Sequence, residues 1–235
     1  MTPPHPRARQ LSNQTIASTL ARFQINVGPS VCDSIREYID LLLLWNQKIS
    51  LTSITEPLEI LTRHFGESMF AAYAIPELHG RLADVGSGPG FPGIALKLLR
   101  PNLEVFLIES VMKKATFLAE VTRHLSLTGV KVVVSRFEDL ADNLAPLDFI
   151  CARALGDRET FLNWATHNLN INGQVVLWLG TDAADLARPG ADHDSREADH
   201  GTGSDQAHQS LTWAPPIPIP DSTNRYLIVG KSLMR

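Results

Sequence analysis

The segment Leu82-Ala83-Asp84-Val85-Gly86-Ser87-Gly88-Pro89-Gly90-Phe91-Pro92-Gly93 decides the fold of this chain. An apolar run that contains an acid leads directly into a glycine-rich turn, which is the pattern of a buried strand followed by a ligand-binding loop. Glycines let the backbone adopt positive φ and approach a ligand closely, and Pro92 suits the first turn of a helix whose free N–H groups point back at the loop. The segment therefore predicts a loop that binds a nucleotide cofactor.

A second apolar run supports this interpretation. Residues 105–108 are apolar and are followed by Glu109, nineteen residues after Gly90. An acid at the end of the second strand of a Rossmann-like sheet accepts hydrogen bonds from the two hydroxyls of a ribose. Asp84, near the end of its own strand, can face the cationic amino-acid group of S-adenosylmethionine, a group that the pyrophosphate of a dinucleotide lacks. The pair predicts one half of a Rossmann-like sheet.

Three interpretations of the loop remain open. It can bind S-adenosylmethionine, it can bind a dinucleotide, or its glycines can serve only the path of the chain. The glycines at 88, 90 and 93 satisfy the dinucleotide spacing G-x-G-x-x-G. In that fingerprint, however, the first glycine closes the strand, and here Gly86 follows Val85 while bulky Phe91 stands three residues after Gly88. This register favours S-adenosylmethionine.

The rest of the chain predicts an α/β fold with a mostly parallel, doubly wound sheet. The predicted strands cover 81–85, 104–108, 130–134, 147–151, 174–179 and 225–230, and the predicted helices between them cover 92–99, 111–127 and 157–169. Upstream, helices are predicted at about 12–23, at 29–45 and after Thr55. We therefore expect a disordered lead-in at 1–10, an N-terminal helical extension at 11–76 and a cofactor-binding domain at 77–235.

The composition is that of an ordinary globular chain, with 235 residues, 44% hydrophobic residues and a net charge of −4. Segment 181–210 holds seven acids, two bases and hardly any bulky apolar residue, so a disordered insertion is expected there and the remainder is close to neutral. No run approaches the ~20 apolar residues of a membrane helix, and no secretory signal is evident. Cys32 and Cys151 stand in apolar contexts, typical of buried thiols in a cytoplasmic protein. No spacing of ligand residues predicts a metal site.

The stretch after the third predicted strand is a candidate adenine site. It reads Ser135-Arg136-Phe137-Glu138-Asp139 and falls at the carboxyl edge of the sheet. There Phe137 can supply an apolar wall, and Glu138 can accept a hydrogen bond from an exocyclic amine. The alternative is a helix N-terminus with acids in its first turn, which the helix dipole favours.

Several basic residues are candidates for phosphate or substrate contacts. Arg153 ends the fourth predicted strand, where it either binds substrate and cofactor or is a surface base with a buried stem. A basic rim that holds phosphates can be formed by Lys113, Lys114, Arg123, Arg136 and Arg153, although a solvated helix face explains the two lysines equally well. Catalytic triads and paired carboxylates are absent from the sequence, so no catalytic residue is assigned.

Taken together, these motifs resemble the RsmG (GidB) family, bacterial enzymes that methylate ring nitrogen 7 of a guanine in 16S ribosomal RNA. The resemblance runs from about Asp40 to Gly180 and returns near Arg225. The matching motifs are Leu44-Trp45-Asn46, Leu51-Thr52-Ser53-Ile54, Arg63-His64, residues 84–93, Glu109-Ser110, Lys113-Lys114, Phe117-Leu118, Ser135-Arg136-Phe137-Glu138 and Arg153-Ala154. The family usually has Asp where this chain has Glu67, and a lysine where it has Leu179.

The resemblance implies a Rossmann-like class I methyltransferase that uses S-adenosylmethionine. The cofactor-binding residues expected from the loop and from the resemblance are Asp84, Gly86, Gly88, Gly90, Phe91, Glu109, Phe137, Glu138 and Arg153. The expected RNA-binding residues are Arg63, His64, Lys113, Lys114, Arg136 and Arg225. The partner is then 16S ribosomal RNA, alone or within the small ribosomal subunit, and the protein is expected to be a monomer.

The chemistry of such a transfer places few demands on the protein. In-line transfer of a methyl group needs alignment and a lone pair on the acceptor, so a neutral ring nitrogen requires no obligate general base. Two other functions remain open: a methyltransferase that acts on a small molecule or a protein, and a cofactor-binding RNA module without turnover.

Overall fold

The structure is a computed structural model that describes residues 11–140, 144, 146–153, 156–180 and 211–233. The expected lead-in at 1–10 and the expected insertion near 181–210 lie outside the described residues. Among the helices of the described part, none has the length and apolar character needed to cross a membrane.

Within the described residues, eight strands form one sheet in the order β3-β2-β1-β4-β5-β8-β6, with β7 paired to β8. The strands are β1 (Arg81–Val85), β2 (Glu104–Ile108), β3 (Val130–Val133), β4 (Leu147–Ala152), β5 (Leu169–Leu179), β6 (Leu211–Trp213), β7 (Ile217–Pro218) and β8 (Tyr226–Ser232). The first five strands are parallel, and β8 runs antiparallel to β5. The predicted strands and the mostly parallel sheet are thus confirmed.

The strand order reverses between β1 and β4, which pair in parallel with Val85 opposite Ala152. In open α/β sheets, ligands bind at such a reversal point, outside the carboxyl ends of the strands. The chain leaves β1 and β4 at this edge through Gly86 and Arg153. The register therefore brings the glycine-rich loop and Arg153 to the same end of the sheet.

The sheet is buried on both faces, as the near-continuous apolar strands predict. The helices are α1 (Asn13–Ala21), α2 (Pro29–Asn46), α3 (Pro57–Ile60), α4 (Glu67–Ala74), α5 (Gly93–Leu99), α6 (Met112–His124) and α7 (Arg158–Asn168). One apolar cluster joins side chains of α1, α2, α5 and α6 to Leu82, Val105 and Leu107, and another joins α7 to Ala83, Phe106 and Ile108. Alternate strand residues supply the two clusters because neighbouring side chains point to opposite faces.

The N-terminal extension is helical, as predicted, and it packs on the sheet. Ile16, Leu20, Tyr38 and Leu42 are fully buried in the same cluster as the strand residues Leu82 and Val105. Helices α1 to α4 therefore contribute to the core of the domain, and they reach the edge of the sheet that carries the loop.

Some elements were not predicted. A π-helical turn at Leu61–Gly66 joins α3 to α4, and the short strands β6 and β7 extend the sheet beside β8. Strand β5 begins at Leu169, five residues before the predicted start at 174, and it includes Asn172, which has φ of 64°. Its first residue pairs with Leu147 of β4, and the register shifts before the pairing of Phe149 with Gln174.

Candidate active site

The glycine-rich loop folds back against β2. The N–H groups of Gly86 and Ser87 both donate to the carbonyl oxygen of Ile108, at 2.9 and 3.0 Å. Gly86, Gly88 and Gly90 have φ of 69°, 55° and 92°, which is the left-handed region that favours glycine. The predicted reason for these glycines is therefore confirmed in the backbone.

One side of the loop opens into a cavity of about 360 Å³. Its walls come from the ends of β1, β2 and β3 and from the start of α7, and they comprise Val85, Gly86, Ile108, Ser110, Ser135, Arg136, Phe137, Glu138, Gly156 and Asp157. A methyl group added at Gly86 would meet no heavy atom within 4 Å. The space above Gly86 is thus open to a ligand, and the cavity has the size of a small-molecule site.

Four of the residues predicted to surround the adenine, Ser135 to Glu138, line this cavity. The Phe137 ring packs edge-on against Phe161 and Trp164, with centroids 6.1 and 5.7 Å away, so its position is fixed from behind. Arg136 Nη2 donates to Glu138 Oε1 at 3.1 Å, and this hydrogen bond lowers the pKa of the Glu138 carboxyl. Arg136 and Glu138 both line the cavity, although the sequence predicted Arg136 to be an RNA-binding residue.

Glu109 lies beneath the loop and holds its backbone. Its Oε2 accepts from Gly88 N at 2.9 Å and its Oε1 accepts from Val111 N at 2.8 Å, and the residue is almost fully buried. A carboxylate has about four lone-pair sites, so acceptor capacity remains after these two bonds. The structure thus gives Glu109 a loop-holding role in addition to the predicted contact with ribose.

Asp84 points away from the cavity. Strand alternation places its side chain on the face covered by α5, whereas Val85 lines the cavity. Its Oδ2 accepts from Gly93 N at 2.9 Å, its Oδ1 lies 3.9 Å from Cys151 Sγ, and the residue has no exposed surface. Burial raises the pKa of Asp84 to about 7. In this conformation the carboxylate holds the start of α5.

Phe91 also lies on the covered side. Its ring is stacked between Tyr38, with centroids 5.2 Å apart, and His64, with centroids 4.9 Å apart. Phe65 meets it edge-on at 4.9 Å, and only 4% of Phe91 is exposed. Its side chain is therefore part of the core, and only its backbone belongs to the loop.

Tyr38 is a loop contact that the sequence analysis missed. It lies fully buried on the apolar stripe of α2, and its hydroxyl donates to the carbonyl oxygen of Pro89. A methyl group at Gly90 would collide with that hydroxyl and would approach Ile94 Cδ1 to 2.7 Å. The available signal was a polar tip on an otherwise apolar stripe, since a buried tyrosine hydroxyl needs a partner.

His64 is held as a neutral imidazole. Its Nε2 lies 2.8 Å from Thr52 Oγ1, in a segment whose backbone N–H groups are held by Asn46. Burial, followed by the positive charges of Arg153 and Arg63, lowers the pKa of His64 to about 3. The side chain is therefore uncharged at neutral pH and offers RNA no positive charge.

Arg153 does not point freely into solvent. Its guanidinium donates to Glu67 Oε2 at 2.8 Å, to Ser68 Oγ at 3.1 Å and to the carbonyl oxygens of Arg63 and His64. Arg63 and Arg225 contact the same carboxylate of Glu67. Three of the predicted ligand-binding residues are thus brought together, on a glutamate that the sequence analysis did not select.

The remaining candidates lie on or beside α6 and α7. Lys113 is exposed and Lys114 is partly exposed in the first turn of α6. Asp157, which was not predicted, lines the cavity and caps α7, because its Oδ1 accepts from Thr160 N at 3.1 Å. The signal for Asp157 was the spacing Asp-x-x-Thr ahead of a helical pattern.

The sheet order, the glycine-rich loop and the cavity define a Rossmann-like protein of the class I methyltransferase type. The fold is shared with precorrin-6y C5,15-methyltransferase from Geobacter metallireducens, with a TM-score of 0.52 and 15% identity over 79% of this chain and 94% of that one. The family model described as rRNA small subunit methyltransferase G matches residues 31–194, and the chain belongs to this family.

Named relatives agree with this membership. The chain is 37% identical over 168 residues to the ribosomal RNA small subunit methyltransferase G of Desulfitobacterium hafniense, which covers 70% of either protein. It is 39% identical over 143 residues to the protein of the same name in Roseiflexus castenholzii, which covers 60% of this chain and 61% of that relative. The match thus spans about three fifths to seven tenths of these relatives.

Proposed function

We propose that this chain transfers a methyl group from S-adenosylmethionine to ring nitrogen 7 of a guanine in 16S ribosomal RNA. The observation that carries the proposal is the cavity at the carboxyl ends of the strands, which opens above Gly86 at the edge where open α/β sheets bind their ligands. Membership in the rRNA small subunit methyltransferase G family supports the substrate class. The ring nitrogen follows from the resemblance of the motifs.

The residues around the cavity fit the cofactor. The open space above Gly86 admits a ligand close to the backbone, and Phe137 and Glu138 offer an apolar wall and an acceptor for the adenine. Glu109 retains lone pairs for ribose hydroxyls while it holds Gly88. S-adenosylmethionine supplies an electrophilic methyl group on a sulfonium. The chain's task is then to align the acceptor with that methyl group.

The other predicted cofactor residues act through the loop in this proposal. Asp84 fixes the N–H of Gly93, Phe91 anchors the loop in the core, and Gly90 makes room for Tyr38. Because these contacts lie on the covered side, their loss changes cofactor affinity by moving the loop. Arg153 occupies the same edge and belongs to the arginine cluster described below.

No side chain needs to serve as an obligate base. The acceptor nitrogen carries its own lone pair, and His64, with a pKa lowered to about 3, stays unprotonated across the working range. We expect the single-turnover rate to show no dependence on His64 between about pH 6.5 and 8.5; guanine and arginine do not titrate there, and Asp84, whose pKa is about 7, lies on the covered side of the loop. A midpoint near pH ~6.5 that disappears in His64→Ala would instead make His64 the base.

The substrate side of the proposal rests on surface charge. Lys113, Lys114 and Arg136 form a basic rim that steers RNA toward the cavity. We propose that the protein acts as a cytoplasmic monomer on RNA that is free or assembled in the small subunit.

The deciding experiment uses labelled cofactor and three acceptors. The protein is incubated with deproteinised 16S RNA, with small ribosomal subunits that lack the modification, and with a small-molecule extract, and the labelled atom is then mapped. Label at guanine nitrogen 7 supports the proposal, and the better RNA acceptor identifies the form recognised. Label only on protein or metabolites would favour a methyltransferase that acts on a protein or a small molecule. Cofactor binding without any transfer would favour a cofactor-binding RNA module without turnover.

A further inference from the structure

Glu67 is a buried carboxylate surrounded by three arginines. Only 2% of its side chain is exposed. Arg225 Nη1 contacts its two oxygens at 2.8 and 2.6 Å, Arg153 Nη2 contacts Oε2 at 2.8 Å, and Arg63 Nε contacts Oε1 at 3.0 Å. We name these four residues the arginine cluster. One carboxylate thus organises three guanidinium groups.

The arginine cluster lies at the ligand-binding edge of the sheet. Arg153 follows the last residue of β4, and Arg225 precedes the first residue of β8, Tyr226, which pairs with Leu179 at the end of β5. Arg63 comes from the π-helical turn, a feature that often marks functional sites. Three elements that are distant in sequence therefore converge beside the glycine-rich loop.

The arginine cluster has an excess of positive charge. Three guanidinium groups face one carboxylate, and the arginine side chains are only 18% (Arg153), 29% (Arg225) and 37% (Arg63) exposed. The neighbouring His64 is neutral, and the pKa of Asp84 is raised to about 7, so at neutral pH it supplies only part of a charge. Partly buried excess charge is costly unless an anion compensates it.

We infer that the arginine cluster is a binding site for a backbone phosphate of the RNA substrate, with Glu67 as the positioning residue that holds the three guanidinium groups. The inference rests on the proposed function. A guanidinium presents a planar fork that matches the oxygens of a phosphate. Glu67 restricts the arginine side chains before RNA arrives, so the entropy cost of ordering them is met in the folded protein.

The number of arginines also exceeds what a purely structural contact would require. A cluster that served only to attach α4 to the sheet would be satisfied by one or two arginines, and each further cation adds repulsion and desolvation cost. Glu67 is also fixed through its backbone, because Trp178 Nε1 donates to its carbonyl oxygen at 2.7 Å. The backbone of Glu67 is therefore held from β5, and the three arginines contact its carboxylate.

The first test compares two arginines. Arg63 is the most exposed member of the arginine cluster, and Arg22, which pairs with Asp221 and makes no ion pair with Glu67, is the matched control. RNA binding is measured by fluorescence anisotropy with a labelled 16S fragment over a range of KCl concentrations, without cofactor. Arg63→Gln is expected to weaken binding about three- to tenfold and to reduce the salt slope by about one, whereas Arg22→Gln leaves both unchanged.

The affinity for S-adenosylmethionine, measured by calorimetry, shows whether the anion that the arginine cluster binds is an RNA phosphate or the carboxylate of the cofactor. An unchanged affinity for S-adenosylmethionine in Arg63→Gln supports the RNA site. A lost cofactor affinity with an unchanged salt slope would overturn the inference and give the arginine cluster to the cofactor's carboxylate. Wild-type protein that shows no RNA binding at all would instead overturn the proposed function.

The second test concerns Glu67. With Glu67→Gln, the apparent KM for RNA is expected to rise about tenfold while kcat stays within about twofold, because the guanidinium groups remain present but are no longer held. Glu67→Asp keeps the charge and should recover most of the loss. Equal losses of kcat in both variants, with KM unchanged, would show a purely structural role. Should Glu67→Gln not fold, the Arg63 comparison still decides the inference.

Discussion

The two sides of the glycine-rich loop are built differently, although the same twelve residues form both. On the covered side, Asp84, Gly90 and Phe91 contact the helical extension and α5, and Asp84 has no exposed surface. On the open side, Val85 and Gly86 face a cavity of about 360 Å³. Successive strand residues separate the two sides, because neighbouring side chains point to opposite faces of the sheet.

This difference assigns two kinds of work to one motif. The covered side makes the loop rigid through stacked rings, a buried carboxylate and a tyrosine hydroxyl. The open side leaves backbone and a few side chains free for a ligand. A substitution on the covered side should therefore reduce stability first, and a substitution on the open side should reduce cofactor affinity first.

The largest expected effect separates two phenylalanines. Phe91→Ala removes a ring packed between Tyr38 and His64, so we expect it to lower the free energy of unfolding by about 3–5 kcal/mol. Phe137→Ala removes a partly exposed ring at the cavity, with an expected loss of about 1–2 kcal/mol in stability and about tenfold in cofactor affinity. Urea denaturation and calorimetry measure the two quantities. If Phe137→Ala were the less stable variant, the assignment of the two sides would be reversed.

Two glycines provide a sharper comparison. Both have positive φ, so an alanine at either position costs about 1–2 kcal/mol of backbone strain. At Gly90 the added methyl also meets the Tyr38 hydroxyl and Leu118 Cδ2, whereas at Gly86 it meets nothing. We expect thermal and urea unfolding to show Gly90→Ala about 1–3 kcal/mol less stable than Gly86→Ala. Equal stabilities would mean that Tyr38 moves aside without cost.

A smaller effect tests the charge state on the covered side. The pKa of His64 is about 3 in the folded protein and 6.5 in the unfolded chain, so the unfolded chain binds more protons between these values. Stability contributed by His64 is therefore lost as the pH falls from 6.5 toward 3. The stability difference between wild type and His64→Gln should shrink by about 1.4 kcal/mol for each pH unit in this window.

Titration of Asp84 changes the stability in the opposite direction to titration of His64. For this reason the measured quantity is the stability difference between wild type and His64→Gln. The pKa of Asp84 is raised from 3.8 to about 7, so the folded protein binds more protons and stability falls as the pH rises through that range. This contribution is common to wild type and His64→Gln and cancels in the subtraction. A difference that does not change with pH between 4.5 and 6 would show that His64 is protonated in the folded protein.

The comparison also shows what the sequence could predict. Strands β1 to β5 were predicted because apolar runs bounded by turns are typical of a sheet buried on both faces. Cavity residues Gly86, Phe137 and Glu138 were predicted because each lies in a loop that follows a strand of that sheet. Those inferences need only local sequence and the rule that ligands bind at the carboxyl edge.

The roles of Asp84 and the arginine cluster could not be predicted in the same way. The sequence places Asp84 at the strand end, but which face is covered depends on where the helical extension packs. Contacts of Glu67 join residues 86 and 158 positions apart in the chain, and no local pattern reports such pairing. The π-helical turn that positions Arg63 was likewise not predicted, because Leu61–Gly66 continues the helical pattern up to Gly66, and the close packing of Gly66 against Phe23 is a tertiary contact.

The smallest expected effect compares two helix caps of similar chemistry. Asp157 caps α7 at the open side, with Oδ1 accepting from Thr160 N at 3.1 Å, and Ser12 caps α1 far from the loop, with Oγ accepting from Thr15 N at 3.0 Å. Replacing either with alanine should cost about 1 kcal/mol in urea denaturation, because one helix N–H loses its partner. Only Asp157→Ala should also change cofactor affinity, because Asp157 lines the cavity and Ser12 does not. If calorimetry shows a few-fold loss of cofactor affinity in Asp157→Ala and none in Ser12→Ala, the ligand-contacting side of the loop includes the start of α7. Equal affinities would mean that the ligand contacts stop at Glu138.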